Sequence, residues 1–240
     1  MQLFILSSLF NHNKRSFFPS ARHYALIKAM SNNKTNLTKQ TYASKEGALA
    51  FKNKEDKTHT KRFAEVYNII DDIDLKNLKI LDVGCGFGRD VIEFRKQGAE
   101  AYGIDISQNL LNMAPENKQW FKQLDVLENP IPFNTSFNII WCCAFFVHIP
   151  RQNMPYILKK LWDKLETGGI LVISTKKGNG EKINYNLGET LGRLMVYYQK
   201  EEILSELKKL GAIQDRQDNT IVRLATGDEK FVLRVKKPKL

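Results

Sequence analysis

The sequence predicts an α/β fold of the Rossmann-like, doubly wound class, with a mostly parallel seven-stranded sheet, an antiparallel final strand and helices on both faces. Short apolar runs alternate with helix-like segments from residue 57 onward. This alternation is typical of a parallel sheet, whose strands are buried on both faces. The first apolar run, residues 78–83, ends in a glycine-rich turn, and the last two, near residues 220–225 and 230–235, indicate an antiparallel pair.

Each predicted element has a local signal. Apolar residues recur on one face over residues 57–72, Ser107 can cap the helix that follows it, and Gly168 and Gly169 mark a helix end. In chain order, helices are predicted over residues 57–72, 89–97, 107–114, 152–165 and 200–210, and strands over residues 78–83, 101–104, 120–124, 137–142 and 170–174.

The positive charge of the chain is concentrated at its ends. The chain has 240 residues and a net charge of +11. Residues 1–45 carry seven Lys or Arg and no acid, and residues 234–240 carry four more. Between them stand 26 basic and 26 acidic residues, so the net charge does not by itself indicate a nucleic-acid-binding surface. Nucleic acid therefore stays a possible but unfavoured partner.

The first 30 residues differ in composition from the rest, because an apolar run is followed by a basic stretch without acids. A signal peptide is disfavoured, since Lys14 and Arg15 follow the apolar run instead of preceding it. A mitochondrial transit peptide over residues 1–29 stays open, as does a simple extension before a working chain that begins at Met30. We assign residues 1–41 to a basic N-terminal extension and residues 42–240 to one domain.

The compartment follows from cysteine usage and hydropathy. Three cysteines, two of them adjacent, favour a reducing compartment and do not have the spacing of a zinc site. No run approaches the about 18 apolar residues that a membrane span needs. We therefore expect a cytoplasmic protein without a membrane span, a metal or a disulfide, in the form of a monomer or dimer. The alternative is a mitochondrial protein, if residues 1–29 are a transit peptide.

The glycine-rich turn carries the most chemical information. The sequence LKILDVGCGFGRD covers residues 78–90. Nicotinamide-binding loops need Gly or Ala three residues after the second glycine, and here that residue is Arg89. Asp82, at the end of the strand, would repel a pyrophosphate but suits a ligand with positive charge. The loop therefore favours a cationic cofactor over a dinucleotide.

Five motifs in order extend this interpretation, over residues 82–88, 103–107, 124–126, 137–150 and 165–174. Together they resemble the class I S-adenosylmethionine-dependent methyltransferases, and especially the small type 11 methyltransferase-domain proteins, over roughly residues 42–236. The resemblance implies S-adenosyl-L-methionine as the cofactor. One departure is Glu166-Thr167, where the family usually has Lys-Pro or Arg-Pro. This turn leads into a strand, away from the expected cofactor site.

The resemblance also implies cofactor roles for individual residues. Asp105 would accept the ribose hydroxyls, and Ile106 would lie against the adenine ring. Asp125 would accept from the adenine amine, beside the backbone N–H of Val126. The remaining candidates lie toward the methionine part: Asp82, Gly84, Cys85, Gly86, Arg89 and Cys142.

Several of these residues also have ordinary structural interpretations. Asp105 could support a helix start, Asp125 could be a turn residue, and Cys85 could be a small core residue. Arg89 could bind either the methionine carboxylate or an anionic substrate.

His148 and several aromatic residues are the candidates for the part of the site that binds the methyl acceptor. His148 follows the fourth strand at the ligand end and has a pKa suited to a general base, although it could instead be a helix-start residue beside Pro150. The aromatic residues that could line an acceptor pocket are Tyr42, Phe145, Phe146, Tyr197 and Tyr198, with core packing as the alternative for the two Phe.

The expected function is therefore methyl transfer by in-line displacement to a small-molecule acceptor that the sequence does not identify. An RNA or protein methyltransferase is the alternative, and its support is the basic ends of the chain. A nicotinamide-dependent oxidoreductase and a non-catalytic cofactor-binding module are the remaining hypotheses. Arg89 and Asp82 argue against the first of these two, and the intact glycine motif argues against the second.

Overall fold

The structure is a computed structural model that describes residues 35–56, 66–115, 117–185, 187, 192–215, 221–223 and 227–239. Residues 1–34 of the predicted extension lie outside the described residues, as do residues 57–65 of the predicted helix over 57–72. The last part of that predicted helix is described, as helical residues 66–67 and a short 3-10 turn at Asn68–Ile70.

A central sheet organises the described chain. Its strands and those of a small second sheet are β1 (Lys79–Val83), β2 (Glu100–Asp105), β3 (Phe121–Gln123), β4 (Phe137–Cys143), β5 (Leu165–Lys176), β6 (Glu181–Asn184), β7 (Arg193–Val196), β8 (Ile213–Gln214), β9 (Ile221–Arg223) and β10 (Glu229–Lys236). The main path has seven strands in the order β3-β2-β1-β4-β5-β10-β8, and β9 pairs with β10 as an eighth. Strands β1 to β5 are parallel and β10 is antiparallel, which confirms the predicted fold class.

Helices cover both faces of this sheet, as predicted. They are α1 (Lys45–Asp56), α2 (Arg89–Lys96), α3 (Gln108–Asn112), α4 (Met154–Lys164) and α5 (Lys200–Lys209), and residues 35–43 are also helical. The apolar faces of α4 and α5 pack on one side of the sheet, against Ile140, Leu171 and Leu233. Helix α2 and residues 66–70 pack on the other side, against Trp141 and Val172. Because side chains alternate along a strand, each strand contributes to both cores.

The N-terminal helical residues form a cover over the carboxyl ends of the parallel strands. We use "cover" for residues 35–56. A third apolar cluster joins Tyr42 and Ala48 of the cover to Leu110 of α3 and to Leu187. The Thr41 hydroxyl donates to the carbonyl of Gly192, just before β7. The Thr38 hydroxyl accepts the N–H of Leu194, within β7. Residues 35–41, which the sequence analysis assigned to the extension, therefore pack with the rest of the described domain.

Strand β5 is longer than the predicted strand over residues 170–174 and begins at Leu165. The backbones of Gly168 and Gly169 exchange hydrogen bonds of 2.9 Å with Lys237, so the glycine turn continues the sheet. The carboxylate of Glu166 accepts a hydrogen bond of 2.7 Å from Asn138. This is the amino end of β5, whereas the cavity described below meets the carboxyl end. No helix among the described ranges is long and apolar enough to span a bilayer.

Candidate active site

A cavity of about 480 Å³ lies between the carboxyl ends of the parallel strands and the cover. Its walls include residues at the ends of β1, β2, β4 and β5, residues of the cover, and residues of β6 and β7. A binding site at this edge is expected, because the loops that follow parallel strands diverge there. Pockets of this size are typical of small-molecule sites.

The glycine loop after β1 forms one wall of the cavity. Gly84 and Gly86 have φ of 76° and 57°, a backbone region that favours glycine. A Cβ on Gly84 would approach the ring of Phe145 to 3.0 Å. The N–H groups of Gly84 and Cys85 donate to the carbonyl of Ile104 at 2.8 and 3.1 Å, so the loop is fixed to the end of β2.

Asp105 lies at the end of β2 and holds the loop from the other side. Its carboxylate accepts the Gly86 N–H and the Ser107 N–H, each at 2.8 Å. Burial raises the pKa of Asp105, and the hydrogen bonds from Ser107 and Gly86 oppose that rise. A carboxylate can accept about four hydrogen bonds. Asp105 therefore keeps capacity for a ligand hydroxyl in the cavity that it lines.

Ile106, Asp125 and Val126 line a neighbouring part of the wall. Asp125 begins a turn, in which its carboxylate accepts the Leu127 N–H at 3.0 Å. The ammonium of Lys39, from the cover, also contacts the Asp125 carboxylate. The three residues predicted to contact adenine therefore lie together. The Lys39 contact with one of them was not foreseen.

The floor of the cavity holds two buried carboxylates, those of Asp82 and Asp90, in different surroundings. Asp90 is paired with Arg89 at 2.5 Å and accepts the indole N–H of Trp141 at 3.0 Å. Asp82 is 3% exposed, and its pKa is raised well above its ordinary value by burial and by the negative charge of Asp90. A buried carboxylate in a cavity wall favours a cationic ligand group.

Arg89 lies in the cavity wall, as the sequence analysis expected, but it is already engaged. Its guanidinium bridges Asp90 to Glu55 of the cover, at 3.2 Å from the Glu55 carboxylate. These carboxylates raise the pKa of Arg89 despite its burial. The ion pair with Glu55 connects α1 to Arg89, the first residue of α2.

The cysteines divide between the cavity and the core. Cys85 lines the cavity, and its side chain fills the space where a Cβ on Gly103 would lie, so it also serves as a packing residue. Cys142 does not line the cavity. Because side chains alternate along β4, Cys142 is fully buried in the core with Ile140. The cofactor role of Cys142 stays a prediction, and Cys143 and Ala144 are the residues at the end of β4 that line the cavity.

His148 and Tyr42 meet in the wall of the same cavity, and we call the part of the cavity around them the acceptor half. The His148 Nε2 lies 3.1 Å from the Tyr42 hydroxyl, and the His148 Nδ1 lies 2.7 Å from the Leu194 carbonyl oxygen. Arg193 donates to the Tyr42 hydroxyl at 2.6 Å. Burial, and then the charge of Arg193, lower the pKa of His148 to about 3. Burial raises the pKa of Tyr42.

Three predicted acceptor residues lie outside the cavity wall. Phe146 and Tyr198 are fully buried in the core under α4 and α5, where the Tyr198 hydroxyl donates to the Ile149 carbonyl at 2.7 Å. Tyr197 does not line the cavity either, and the ammonium groups of Lys176 and Lys182 lie 5.5 and 5.0 Å from its ring centre. Phe145, the alternative next to Phe146, does line the cavity.

The sequence analysis missed a group of cations in the acceptor half. Arg193, Lys176, Lys182 and Lys230 line the cavity, together with Asp228, which pairs with Lys176. Thr175 also lines it, and its buried hydroxyl has no hydrogen-bond partner. The only sequence signal was the cluster of lysines around residues 176–182, because Arg193 and Lys230 reach the site through sheet pairing. No group of three or more potential metal ligands occurs in the part of the chain that the structure describes.

Comparison with known proteins identifies the domain. A family model described as a methyltransferase domain matches residues 40–213. The chain belongs to this family. The class I assignment is confirmed, and S-adenosyl-L-methionine is the cofactor that the methyltransferase domain implies. The matching model is type 23, a different type of the same domain from the type 11 of the sequence analysis.

Two curated relatives have names that refer to a small molecule. A phosphoethanolamine N-methyltransferase of Plasmodium falciparum is 34% identical over 113 residues, which are 44% of this chain and 42% of the relative. A ubiquinone biosynthesis O-methyltransferase of Coxiella burnetii is 29% identical over 121 residues, 48% of this chain and 50% of the relative. The chain therefore spans half or less of the length of these relatives.

Solved structures agree with the fold. A SAM-dependent methyltransferase of Methanosarcina mazei is 19% identical with a TM-score of 0.62, over 72% of this chain and 99% of that chain. A magnesium protoporphyrin IX methyltransferase of Synechocystis PCC 6803 with bound SAM is 15% identical with a TM-score of 0.56, over 94% of this chain and all of that chain. At these identities the likeness concerns the fold alone.

The residues present fit S-adenosyl-L-methionine. The glycine loop leaves room that a Cβ at Gly84 would reduce, and the buried Asp82 carboxylate suits a ligand with a sulfonium and an ammonium group. Asp105 offers a carboxylate for a ribose diol, and Asp125 offers another beside the apolar Ile106. Each chemical part of the cofactor thus has a complementary group in one wall.

Proposed function

We propose that this protein transfers the methyl group of S-adenosyl-L-methionine to a small anionic acceptor bound in the acceptor half of the cavity. The observation that carries the proposal is the contact of the Tyr42 hydroxyl with His148 in the same cavity as the glycine loop and Asp105. A proton-accepting pair then faces the expected position of the cofactor across one enclosed space.

The proposed cofactor roles follow the wall of the cavity. Asp105 accepts the ribose hydroxyls, Asp125 accepts from the adenine amine, and Ile106 packs against the ring. Asp82 balances the positive charge of the methionine part. When bound, the cofactor supplies an electrophilic methyl group, and the chain supplies alignment, which can lower a barrier by about 7–11 kcal/mol.

The charge of the acceptor half favours an anionic acceptor. Lys176, Lys182, Lys230 and Arg193 outnumber Asp228 in its wall. Residues of the cover line this cavity, and its volume of about 480 Å³ suits a small molecule better than a macromolecular chain. The name of the Plasmodium relative, a phosphoethanolamine N-methyltransferase, offers a first acceptor to test: a phosphate with an amine nucleophile.

A proton leaves the nucleophile when an ammonium or a hydroxyl is methylated. The Tyr42 oxygen can accept that proton while its own proton passes to Nε2 of His148. His148 is unprotonated at neutral pH, because burial and Arg193 hold its pKa at about 3. Its Nε2 lone pair is therefore free at neutral pH, but the low pKa makes His148 a weak base, so we expect a gain at the lower end of the about 10²–10⁴-fold that positioned acid–base groups contribute.

The test begins with calorimetric titration of the purified chain with S-adenosylmethionine, S-adenosylhomocysteine and NAD(H). We expect the first two to bind and NAD(H) not to bind. Methylation of phosphoethanolamine and of ethanolamine, followed by mass spectrometry, then compares one nucleophile with and without phosphate. We expect a KM for the phosphorylated compound that is lower by about tenfold or more, as one charge-assisted contact predicts. Binding of NAD(H), or methylation of RNA alone, would overturn the proposal.

A further inference from the structure

Four groups in the acceptor half form a hydrogen-bonded series in which chemistry fixes every proton. A guanidinium only donates, so Arg193 donates to the Tyr42 oxygen at 2.6 Å. A carbonyl only accepts, so the Nδ1 of His148 must carry the hydrogen that it shares with Leu194 at 2.7 Å. In the neutral imidazole, Nε2 is then an acceptor, and the Tyr42 hydroxyl donates to it across 3.1 Å.

Strand β7 holds both ends of this series. Arg193 and Leu194 are consecutive residues at its start, paired with Asn184 and Ile183 of β6. One supplies its side chain to Tyr42 and the other supplies its carbonyl to His148. Arg193 is 6% exposed, so its position is fixed by the surrounding protein. The Leu194 carbonyl thus fixes the tautomer of His148, and Arg193 holds the Tyr42 oxygen from the other side.

We propose that Arg193 is a positioning residue, which holds the Tyr42 oxygen from one side while the Tyr42 proton is shared with His148. Without this donor, the Tyr42 hydroxyl is held by the His148 contact alone. The Leu194 carbonyl keeps the Nδ1–H tautomer of His148 in either case, because a carbonyl only accepts. The catalytic part of this inference rests on the proposed methyl transfer, whereas the effect on His148 is a property of the protein alone.

The charges around the pair predict a second effect of Arg193. The charged and titratable groups that face His148 and Tyr42 are Arg193 of β7, Lys176 of β5, Glu55 of α1 and Asp105 of β2. Arg193 is the charged group with the largest effect on the pKa of His148. Loss of its charge should raise that pKa from about 3 toward the ordinary value of 6.5.

The experiment uses Arg193→Met, which removes the donor and the charge, and Arg193→Lys, which keeps both in part. Histidine side-chain 15N NMR of the full chain, which has four histidines, reads tautomer and pKa in both variants. We expect Arg193→Met to raise the pKa of His148 while its Nδ1–H tautomer is kept, and Arg193→Lys to restore most of the low pKa. Unchanged histidine signals in a folded Arg193→Met protein would overturn the inference.

Kinetics separate positioning from direct binding of the acceptor. We expect Arg193→Met to lower kcat by about 10- to 100-fold and to change the acceptor KM by less than about threefold. In a Tyr42→Phe background, Arg193→Met should have no further effect on kcat, because the positioned group is gone. A raised KM with unchanged kcat would instead assign Arg193 to the acceptor anion and overturn the inference.

The two proposals fail in different ways. Changed histidine signals in a protein that methylates nothing would leave the positioning role standing and refute the proposed function. Normal methylation by Arg193→Met with unchanged signals would do the reverse. Calorimetric titration with S-adenosylhomocysteine serves as the folding control, since we expect equal affinity for wild type, Arg193→Met and Arg193→Lys.

Discussion

Asp82 and Asp90 are neighbours in the floor of the cavity, but their surroundings give the two carboxylates opposite effects on stability. Burial raises the pKa of Asp82. A raised folded-state pKa stabilises only below the unfolded value, and this contribution is lost as the pH rises through the folded one. At neutral pH the burial of Asp82 is therefore a cost, and we expect Asp82→Asn to stabilise the cofactor-free protein by about 0.5–2 kcal/mol in urea unfolding at pH 7.

The matched control is Asp90→Asn. Asp90 accepts from both Arg89 and Trp141, so removal of its charge should destabilise the protein, by about 1.5–3 kcal/mol. We expect Asp82→Asn also to weaken binding of S-adenosylmethionine. Destabilisation by Asp82→Asn would show that its carboxylate is satisfied in the folded state, against the present account.

Asp105 is expected to serve both the loop and the cofactor. Asp105→Ala removes the acceptor of the Gly86 N–H and of the proposed ribose contacts. Charge-assisted hydrogen bonds contribute about 1.5–3 kcal/mol, so we expect S-adenosylhomocysteine to bind about 10- to 100-fold more weakly in calorimetry. Asp163→Ala, which removes an exposed partner of Lys159, is the control. Equal affinity in Asp105→Ala and wild type would remove Asp105 from the site.

At the residue scale, the sequence is informative where a motif fixes the position. Asp82 and Asp105 lie at the ends of β1 and β2, Asp125 comes shortly after β3, and the structure brings all three to the cavity wall. Arg193 had no such signal, because it contacts a residue 151 positions away in the chain. Tyr197 and Tyr198 have the composition of a pocket, but Tyr198 packs into the core.

At the scale of elements, hydrogen bonds to β7 and to Gly192, the residue before it, hold the cover in place. The Thr41 hydroxyl donates to the Gly192 carbonyl at 2.6 Å. Thr41→Val removes this bond, which should cost about 1 kcal/mol. We expect amide hydrogen exchange of residues 35–43 to become about fivefold faster, while exchange in β1 and β4 stays unchanged.

The control for the cover is Lys45→Ala, at an exposed position of the same segment. It should leave exchange of residues 35–43 as in wild type. Faster exchange of the whole sheet in Thr41→Val would mean that the cover does not open as a separate unit.

The main strands could be predicted because they are apolar on both faces. The runs at β1, β4 and β5 have this composition. Strand β6, with the sequence EKIN, and the two residues of β8 have no such signal. Their pairing depends on partners elsewhere in the chain, as is usual for short or half-exposed strands.

At the scale of the whole molecule, buried His148 makes stability dependent on pH. Its pKa is lowered to about 3 in the folded state, against an ordinary value of 6.5. A depressed pKa gives stability that is present above 6.5 and lost as the pH falls toward 3, because the unfolded chain then binds the proton first. We expect this loss to approach about 1.4 kcal/mol per pH unit in that window.

The measurement is urea unfolding between pH 7 and pH 4 for wild type and for His148→Gln. The variant should lose less stability over this range, and the difference isolates His148 from Asp82 and Asp105, whose raised pKa values act in the opposite direction. Parallel pH dependences in the two proteins would show that His148 takes up its proton as readily in the folded state as in the unfolded chain.

The contacts between the cover and β7 also determine when the site can form. A chain is synthesised from its N-terminus, so Thr41 and Tyr42 leave the ribosome long before Gly192 and Arg193, their partners 151 residues later. Until then, Tyr42 and the apolar side chains near it lack part of their packing. Gly86 of the glycine loop and Asp105 are only 19 residues apart, so their hydrogen bond can form while the rest of the chain is still being synthesised. A nascent or truncated chain can therefore build the loop for the cofactor early, but the acceptor half only after most of the domain has been synthesised.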